Sequence, residues 1–287
     1  MHIINHFYPK LGYQEYFLAK THGYQHNVLV ISSNRFGKSI FESNRSLLGH
    51  RSLKPGLYIE EGVKVLRLPA LFDNPPFEIP WLIGLEQAVM DFSPDAIILH
   101  GVVSFSSIMV SKLKKKLPRV KIIVDDHMTY NATRGKQVIP LYNMFKRMFM
   151  PLLLDSVDCF VGVTYETKEF MQAVYGIPNK KITIIPLGVD TYRFRYDPNA
   201  RRHMRKEYGI EDNHVLFIYA GKVIPSKGVH IFVDAGLKLC EKSNNVLFLI
   251  VGGKEPKYFN CIQRKILKAG KSDRFIFVDT VPNEQLY

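Results

Sequence analysis

Short apolar runs alternate with amphipathic stretches along the whole chain. Met1–Asn5, Val28–Ile31, Val63–Leu68, Ala96–Leu99, Val120–Val124, Cys159–Val163 and Ile182–Ile185 are brief and rich in aliphatic and β-branched residues, which predicts strands. Between them Gln14–Lys20, Ile83–Asp91, Phe105–Leu117, Val138–Leu154 and Glu166–Tyr175 place apolar residues at helical spacing, with Pro118 and Gly176 as stop signals. Arg35 to Leu57 turns to Ser, Asn, Gly and Arg and reads as a long loop or a partly helical insertion. After the turn Pro186-Leu187-Gly188 the same grammar resumes: a helix over Ala200–Tyr208, then strands Val215–Tyr219, Val246–Val251 and Phe275–Val278 separated by helices over Val229–Leu239 and Phe259–Lys268. Strand-helix alternation predicts an α/β protein with parallel sheets covered on both faces.

A length of 287 residues with 46% apolar content supports one large core or two medium ones. The hinge favours two domains, residues 1–185 and 186–287. Only three strands follow it, about half of a doubly wound sheet, and one edge of Val215–Tyr219 is left without neighbours. The chain is therefore expected to be a fragment or a naturally truncated product whose second domain is incomplete, with an edge prone to association.

The formal charge of +13 favours an anionic partner without choosing among nucleic acid, a phospholipid surface and a nucleotide-activated substrate. The surplus is shared, 7 in residues 1–185 and 6 in 186–287, so no basic tail is present. Cys159, Cys240 and Cys261 lack metal-ligand spacing and imply no disulfide framework, which suits a reduced, cytoplasmic compartment. Met1-His2-Ile3-Ile4-Asn5-His6 is too polar to open a signal peptide, and no run reads as a transmembrane helix.

Two segments carry candidate chemistry. Tyr219-Ala220-Gly221-Lys222-Val223-Ile224-Pro225-Ser226-Lys227-Gly228 sets two cations on the turn between a strand and a helix, where an open α/β sheet binds phosphorylated ligands. Gly221 and Gly228 suit a tight turn feeding a helix N-terminus. Asp125-Asp126-His127-Met128 stands at the end of the strand Val120–Val124, on the rim where α/β sites collect. Two aspartates close to His127 would favour its imidazolium form; the same trio also permits a metal site or a structural histidine.

With Pro186-Leu187-Gly188-Val189-Asp190 before it, the lysine turn resembles the donor-binding half of family 4 retaining glycosyltransferases of the GT-B fold, built of two Rossmann-like doubly wound domains. The resemblance runs from Asn5-His6-Phe7-Tyr8-Pro9-Lys10-Leu11-Gly12-Tyr13-Gln14-Glu15 through Val281-Pro282. It implies a hexose transferred from a nucleotide-diphosphate sugar with retention at the anomeric carbon, no cofactor and no bound metal. His127 would lie beside the transferred sugar, and Lys222 and Lys227 would neutralise the donor diphosphate as the nucleotide leaves. Gly12 would belong to the loop that approaches donor and acceptor, where the family's Gly-Gly pair is here Leu11-Gly12. Lys222 stands where the family usually has Arg, a point charge in place of a bidentate fork. Gly252-Gly253 would form a second glycine turn near the nucleotide, and Val278-Asp279-Thr280-Val281-Pro282 would meet the nucleobase, mostly through backbone. The family's paired glutamates would fall beyond Tyr287, so the resemblance implies weak activity or none for this chain.

The acceptor is expected to be a saccharide or a lipid-linked sugar in polysaccharide or cell-envelope synthesis. Lys112, Lys114, Lys115, Lys116 and Arg119, together with Lys146 and Arg147 beside Phe145, Met148, Phe149 and Met150, suit peripheral contact with an anionic membrane from its cytoplasmic side. A basic helix end also complements its own dipole, and a Met/Phe stripe also builds cores. The alternative is a non-catalytic nucleotide or nucleic-acid binding protein; no zinc-finger spacing or RNA-binding aromatic motif supports nucleic acid as a partner. A dinucleotide enzyme ranks low because no Gly-x-Gly-x-x-Gly follows the first strand.

Overall fold

The computed structural model describes residues 1–74, 78–131 and 139–281. It divides into two compact units, Met1–Gly188 and Val189–Tyr287.

The first unit contains strands β1 (His2–Ile4), β2 (Val30–Ser33), β3 (Gly56–Glu60), β4 (Val63–Leu68), β5 (Ala70–Leu71), β6 (Trp81–Leu82), β7 (Ala96–His100), β8 (Lys121–Asp126), β9 (Cys159–Gly162) and β10 (Ile182–Ile184). Eight of them form one sheet in the order β10-β9-β8-β7-β1-β2-β4-β3, and β5 and β6 pair separately. All neighbours in the large sheet are parallel except β3 and β4. From β1 the chain winds one way through β2 and β4, then returns to β7 on the other side of β1. The loops after β1 and β7 therefore leave the sheet at a topological switch point, which opens a crevice at the carboxyl ends of the strands.

Burial on both faces explains the unbroken apolar runs. Ile3, Ile31, Leu99 and Val124 join the core on one face, while Ile4, Val30 and Val65 pack on the other with Phe7, Tyr16 and Ala19. Successive residues of one strand thus feed opposite layers, as the period of two requires. The helix Gln14–His22 covers the second layer through Tyr16 and Ala19.

Arg35–Leu57 is more structured than its composition suggests. It holds short helices Lys38–Ser43 and Arg45–Leu48, and its end enters β3. Glu61 (φ 48°) and Gly62 (φ 84°) make the two-residue turn that sends β3 antiparallel to β4. Leu57 and Ile59 are exposed, so this edge strand lacks the buried face that a hydrophobic pattern would reveal. The predicted helix Glu166–Tyr175 is a helix over Tyr165–Phe170, capped by the Thr164 hydroxyl, that continues as a π-helical turn over Met171–Tyr175 and stops at Gly176 in the left-handed region.

The second unit contains β11 (Val215–Ala220), β12 (Val246–Val251) and β13 (Phe275–Val278), parallel and in that order. The helix Val229–Lys242 buries Val229, Val233, Gly236 and Cys240, a spacing of four, three and four that lies along one face. A Cβ on Gly236 would stand 3.0 Å from the Phe248 and Phe275 rings, so this glycine lets helix and sheet close together. β12 is buried almost throughout. β11 carries no strand on its second edge among the described residues, and Val215, Phe217 and Ile218 are exposed there.

Candidate functional site

At the switch point of the first unit lies a pocket of about 500 Å³ whose lining includes Asn5, His6, Tyr8, Gly101, Val102, Asp125, Asp126, His127, Tyr142 and Tyr175. β8 ends at Asp126, which delivers His127 to the rim with its side chain partly exposed. The two aspartates play different parts. Asp125 is buried, its Oδ2 lying 2.9 Å from His100 Nδ1 and 4.0 Å from His127 Nε2. Asp126 turns inward and accepts from the backbone N–H of Val102 at 3.2 Å and of Met128 at 2.8 Å. Burial raises the Asp126 carboxyl above the ordinary range, against the pull of those two donors. Tyr175, delivered by the π-helical turn, lines the pocket with Asp126 and is held well above the usual tyrosine range, by burial first and by that carboxylate's charge next. A half-exposed histidine beside one buried carboxylate can exchange a proton with a hydroxyl in the pocket.

The loop after β1 meets the pocket through His6 and Tyr8. Gly12 is not among the lining residues. It closes the 3-10 turn Pro9–Leu11 at φ 63°, donating its N–H to Pro9, and so turns the chain toward the next helix. His6, Tyr8, His100 and Tyr175 escaped the sequence reading. Only His100 left a signal: like Asp126 it is a polar residue ending an apolar strand just before a loop, here Leu99-His100-Gly101.

In the second unit the two glycine turns touch. Gly221 (φ 157°) donates to Val251 O and Gly252 (φ 143°) to Val278 O. A Cβ on Gly252 would fall 2.0 Å from the Gly221 carbonyl oxygen, so the ends of β11 and β12 approach as only glycine permits. Val223 N donates to Gly253 O and Glu255 N to Val223 O, which laces the segment after Gly221 along the segment after Gly252. A Cβ on Gly253 would stand 3.0 Å from Thr280 Oγ1, which puts the stretch before Val281 beside the second turn. Val281 is half-buried; Pro282 lies outside the described residues.

Lys222 and Lys227 are exposed on this scaffold. The 3-10 turn Pro225–Lys227 ends at Gly228 (φ 67°), which opens the helix Val229–Lys242. Partial desolvation, and then the neighbouring Lys227 charge, hold the Lys222 ammonium below its usual range. Two cations on one turn at the start of a long helix make a place for an anion. A larger hollow of about 630 Å³, between the helix Pro256–Lys268 and β13, includes none of these residues. Among the described residues no group of three or more His, Cys, Asp or Glu is placed to hold a metal ion.

Part of the basic cluster is committed within its own unit. Lys114 Nζ bonds Val120 O and Asp158, and Lys116 pairs with Glu86, whereas Lys112, Lys115 and Arg119 are exposed. On the helix Ile139–Ser156, Phe145 and Met150 are core residues, and Met144, Arg147 and Met148 face outward. No helix among the described residues is long and apolar enough to cross a membrane.

Both units are α/β layers whose candidate residues stand at the carboxyl ends of strands. The Glycosyltransferase Family 4 model matches residues 18–193 and the Glycosyl transferases group 1 model residues 200–287; the chain belongs to the family 4 glycosyltransferases. It is 30% identical over 132 residues to a GDP-mannose-dependent alpha-(1-6)-phosphatidylinositol monomannoside mannosyltransferase of Mycolicibacterium smegmatis, covering 46% of this chain and 34% of that protein. It is 28% identical over 153 residues to a mannosylfructose-phosphate synthase of Agrobacterium fabrum, covering 50% and 33%. Each match thus spans about a third of the relative. Anabaena HepE in complex with UDP has the same fold, with a TM-score of 0.69 at 16% identity over 99% of this chain and 70% of that one.

Proposed function

We propose that this protein transfers a hexose from a nucleotide-diphosphate sugar to a saccharide or lipid-linked acceptor, with retention of anomeric configuration. In this reading Lys222 and Lys227 take the donor diphosphate, and His127 attends the transferred sugar. The observation that carries this reading is the Gly221–Gly252 contact, which sets Lys222 and Lys227 on a compact turn at the start of a long helix. Two ammonium groups there meet the charge that develops on a departing diphosphate. Gly253 and Val281 stand near the nucleotide, and the donor needs no metal. The relatives name both GDP-mannose and UDP, so the reading commits to the diphosphate and leaves the base open. Family membership favours a transferase over a non-catalytic nucleotide or nucleic-acid binder.

For the acceptor, the phosphatidylinositol mannoside in a relative's name and the outward Met144, Arg147 and Met148 support a lipid-linked sugar at an anionic membrane. The donor site is tested by calorimetric titration of the chain with UDP and with GDP. Each charge-assisted contact contributes about 1.5–3 kcal/mol, so Lys222→Ala and Lys227→Ala should each weaken binding about 10- to 150-fold. Lys222→Arg, which keeps the charge, should cost less than Lys227→Ala. Unchanged affinity in both alanine variants would place the diphosphate elsewhere.

A further inference from the structure

Four polar side chains lie in a row on one face of the first sheet, where an apolar layer would be ordinary. His2 sits on β1, 1% exposed, with Nδ1 3.0 Å from His100 Nε2 and Nε2 3.0 Å from His22 Nδ1. His100 pairs in register with Ile4 on one side and Asp125 on the other, which puts His2, two residues back along β1, on the same face. His100 Nδ1 then meets Asp125 Oδ2 at 2.9 Å, and the same oxygen is 4.0 Å from His127 Nε2. The outer end of the row is His22, half-buried at the last position of the helix Gln14–His22, with the exposed His26 ring 6.5 Å beyond.

We propose that His22, His2 and His100 form a proton relay joining solvent at the end of that helix to the Asp125–His127 pair in the pocket. Its use in sugar transfer rests on the function proposed above; its existence does not. With Asp125 ionised, His100 carries its proton on Nδ1, so its Nε2 accepts from His2 Nδ1, and His2 Nε2 accepts from His22 Nδ1. The His22 and His2 N–H groups then point along the row, the His100 Nδ1 proton lies beside Asp125 Oδ2 in ion-pair contact without hydrogen-bond alignment, and the His22 Nε2 lone pair is the open end. A proton taken up there lets His22 pass its Nδ1 proton to His2 Nε2, His2 pass its own to His100 Nε2, and His100 pass its own to Asp125 Oδ2. Each ring gains one proton and gives up one, the carboxylate becomes a carboxylic acid, and the reverse sequence restores the start.

Two further observations fit a conductor better than a static brace. Asp125 Oδ1 and His100 Nδ1 are both buried without an aligned hydrogen-bond partner among the described residues, so their side chains, in ion-pair contact at 2.9 Å through Asp125 Oδ2, keep spare capacity to exchange a proton. The charged and titratable groups facing the row also disfavour a trapped cation inside it. Burial first, then His100, the Met1 ammonium and His22, hold His2 down to about 2, and burial, His26, the Met1 ammonium and His100 lower His22. A proton therefore moves through these rings without resting on them. The benefit is access: buried Asp125 exchanges protons with solvent while substrates fill the pocket mouth.

The test separates passing a proton from holding a position. Gln at position 2 keeps a donor and an acceptor but cannot gain one proton while losing another. In the chain with ¹⁵N-labelled histidine and no nucleotide present, long-range ¹⁵N–¹H spectra should show His2 and His100 neutral with the proton on Nδ1. Exchange of the His100 Nδ1 proton with water should slow at least about tenfold in His2→Gln and in His22→Gln. His22 is at a partly exposed helix end, so its variant carries the test if His2→Gln fails to fold. Unchanged exchange in the folded variants, or an Nε2 proton on His2 or His100 in the unsubstituted chain, overturns the relay. Because no donor is present, failure of the lysine variants to lose nucleotide affinity would overturn the donor-site reading and leave this result standing.

Discussion

Arg67 offers the most direct test of how the first unit supports its pocket. Its side chain is wholly buried on β4. The guanidinium meets Glu60 through Nε at 2.9 Å and Nη2 at 2.6 Å, and donates to Ser33 O at 3.1 Å and Phe7 O at 3.0 Å. The Phe7 and Phe36 rings lie 5.9 and 5.2 Å from its central carbon. One side chain thus ties the β3–β4 hairpin, the end of β2 and the loop that carries His6 and Tyr8 to the pocket.

Arg67→Met fills much of the volume but leaves the Glu60 carboxylate and two carbonyls without their donor. Breaking a buried pair by removing one partner costs about 3–5 kcal/mol. For a unit of this size that corresponds to a fall in Tm of about 6–20 °C. The protein's single tryptophan, Trp81, belongs to the first unit, so its fluorescence follows that unit through a thermal or urea transition. The double variant Arg67→Met with Glu60→Leu removes the stranded carboxylate and should recover part of the loss, isolating the ion pair from the two carbonyl bonds. A loss below about 1 kcal/mol in the single variant would refute the reasoning, because it would mean that Glu60 and both carbonyls find water or other donors at no cost.

Gly252→Ala should separate the two glycine turns, since its Cβ would collide with the Gly221 carbonyl and its φ of 143° disfavours any other residue; loss of UDP binding and a lower second-unit stability, read by calorimetry and circular dichroism, are the expected outcomes. His2 should make stability fall with acid: its folded value is far below the ordinary histidine range, so the unfolded chain binds the extra proton, and stability present above pH 6.5 should drop by up to about 2 kcal/mol by pH 5, a drop that His2→Gln should lack in urea titrations at the two pH values. Ile218→Lys, on the exposed face of β11, should reduce self-association in light scattering, and an unchanged profile would show that this edge is not a contact.

The alternation of strands and helices was legible in the chain because strands covered on both faces are largely apolar, whatever their neighbours. The lysine turn was equally legible: Gly221, Lys222, Lys227 and Gly228 are close in sequence, and the turn and helix start they predict depend on local backbone freedom. The antiparallel β3 escaped because Leu57 and Ile59 face outward, and solvent exposure erases the contrast on which pattern reading depends. Strand order was likewise invisible. Nothing local to β1 says that it lies between β2 and β7, yet that placement creates the switch point where His127 and Asp125 meet the pocket. His2 and His100 are 98 residues apart and join only through sheet register, and Gly221 needs Gly252 only because β11 and β12 are neighbours. The sequence determined which residues could do chemistry at strand ends; the tertiary structure decided which of them meet, because contacts between distant segments depend on pairing and packing that no local pattern encodes.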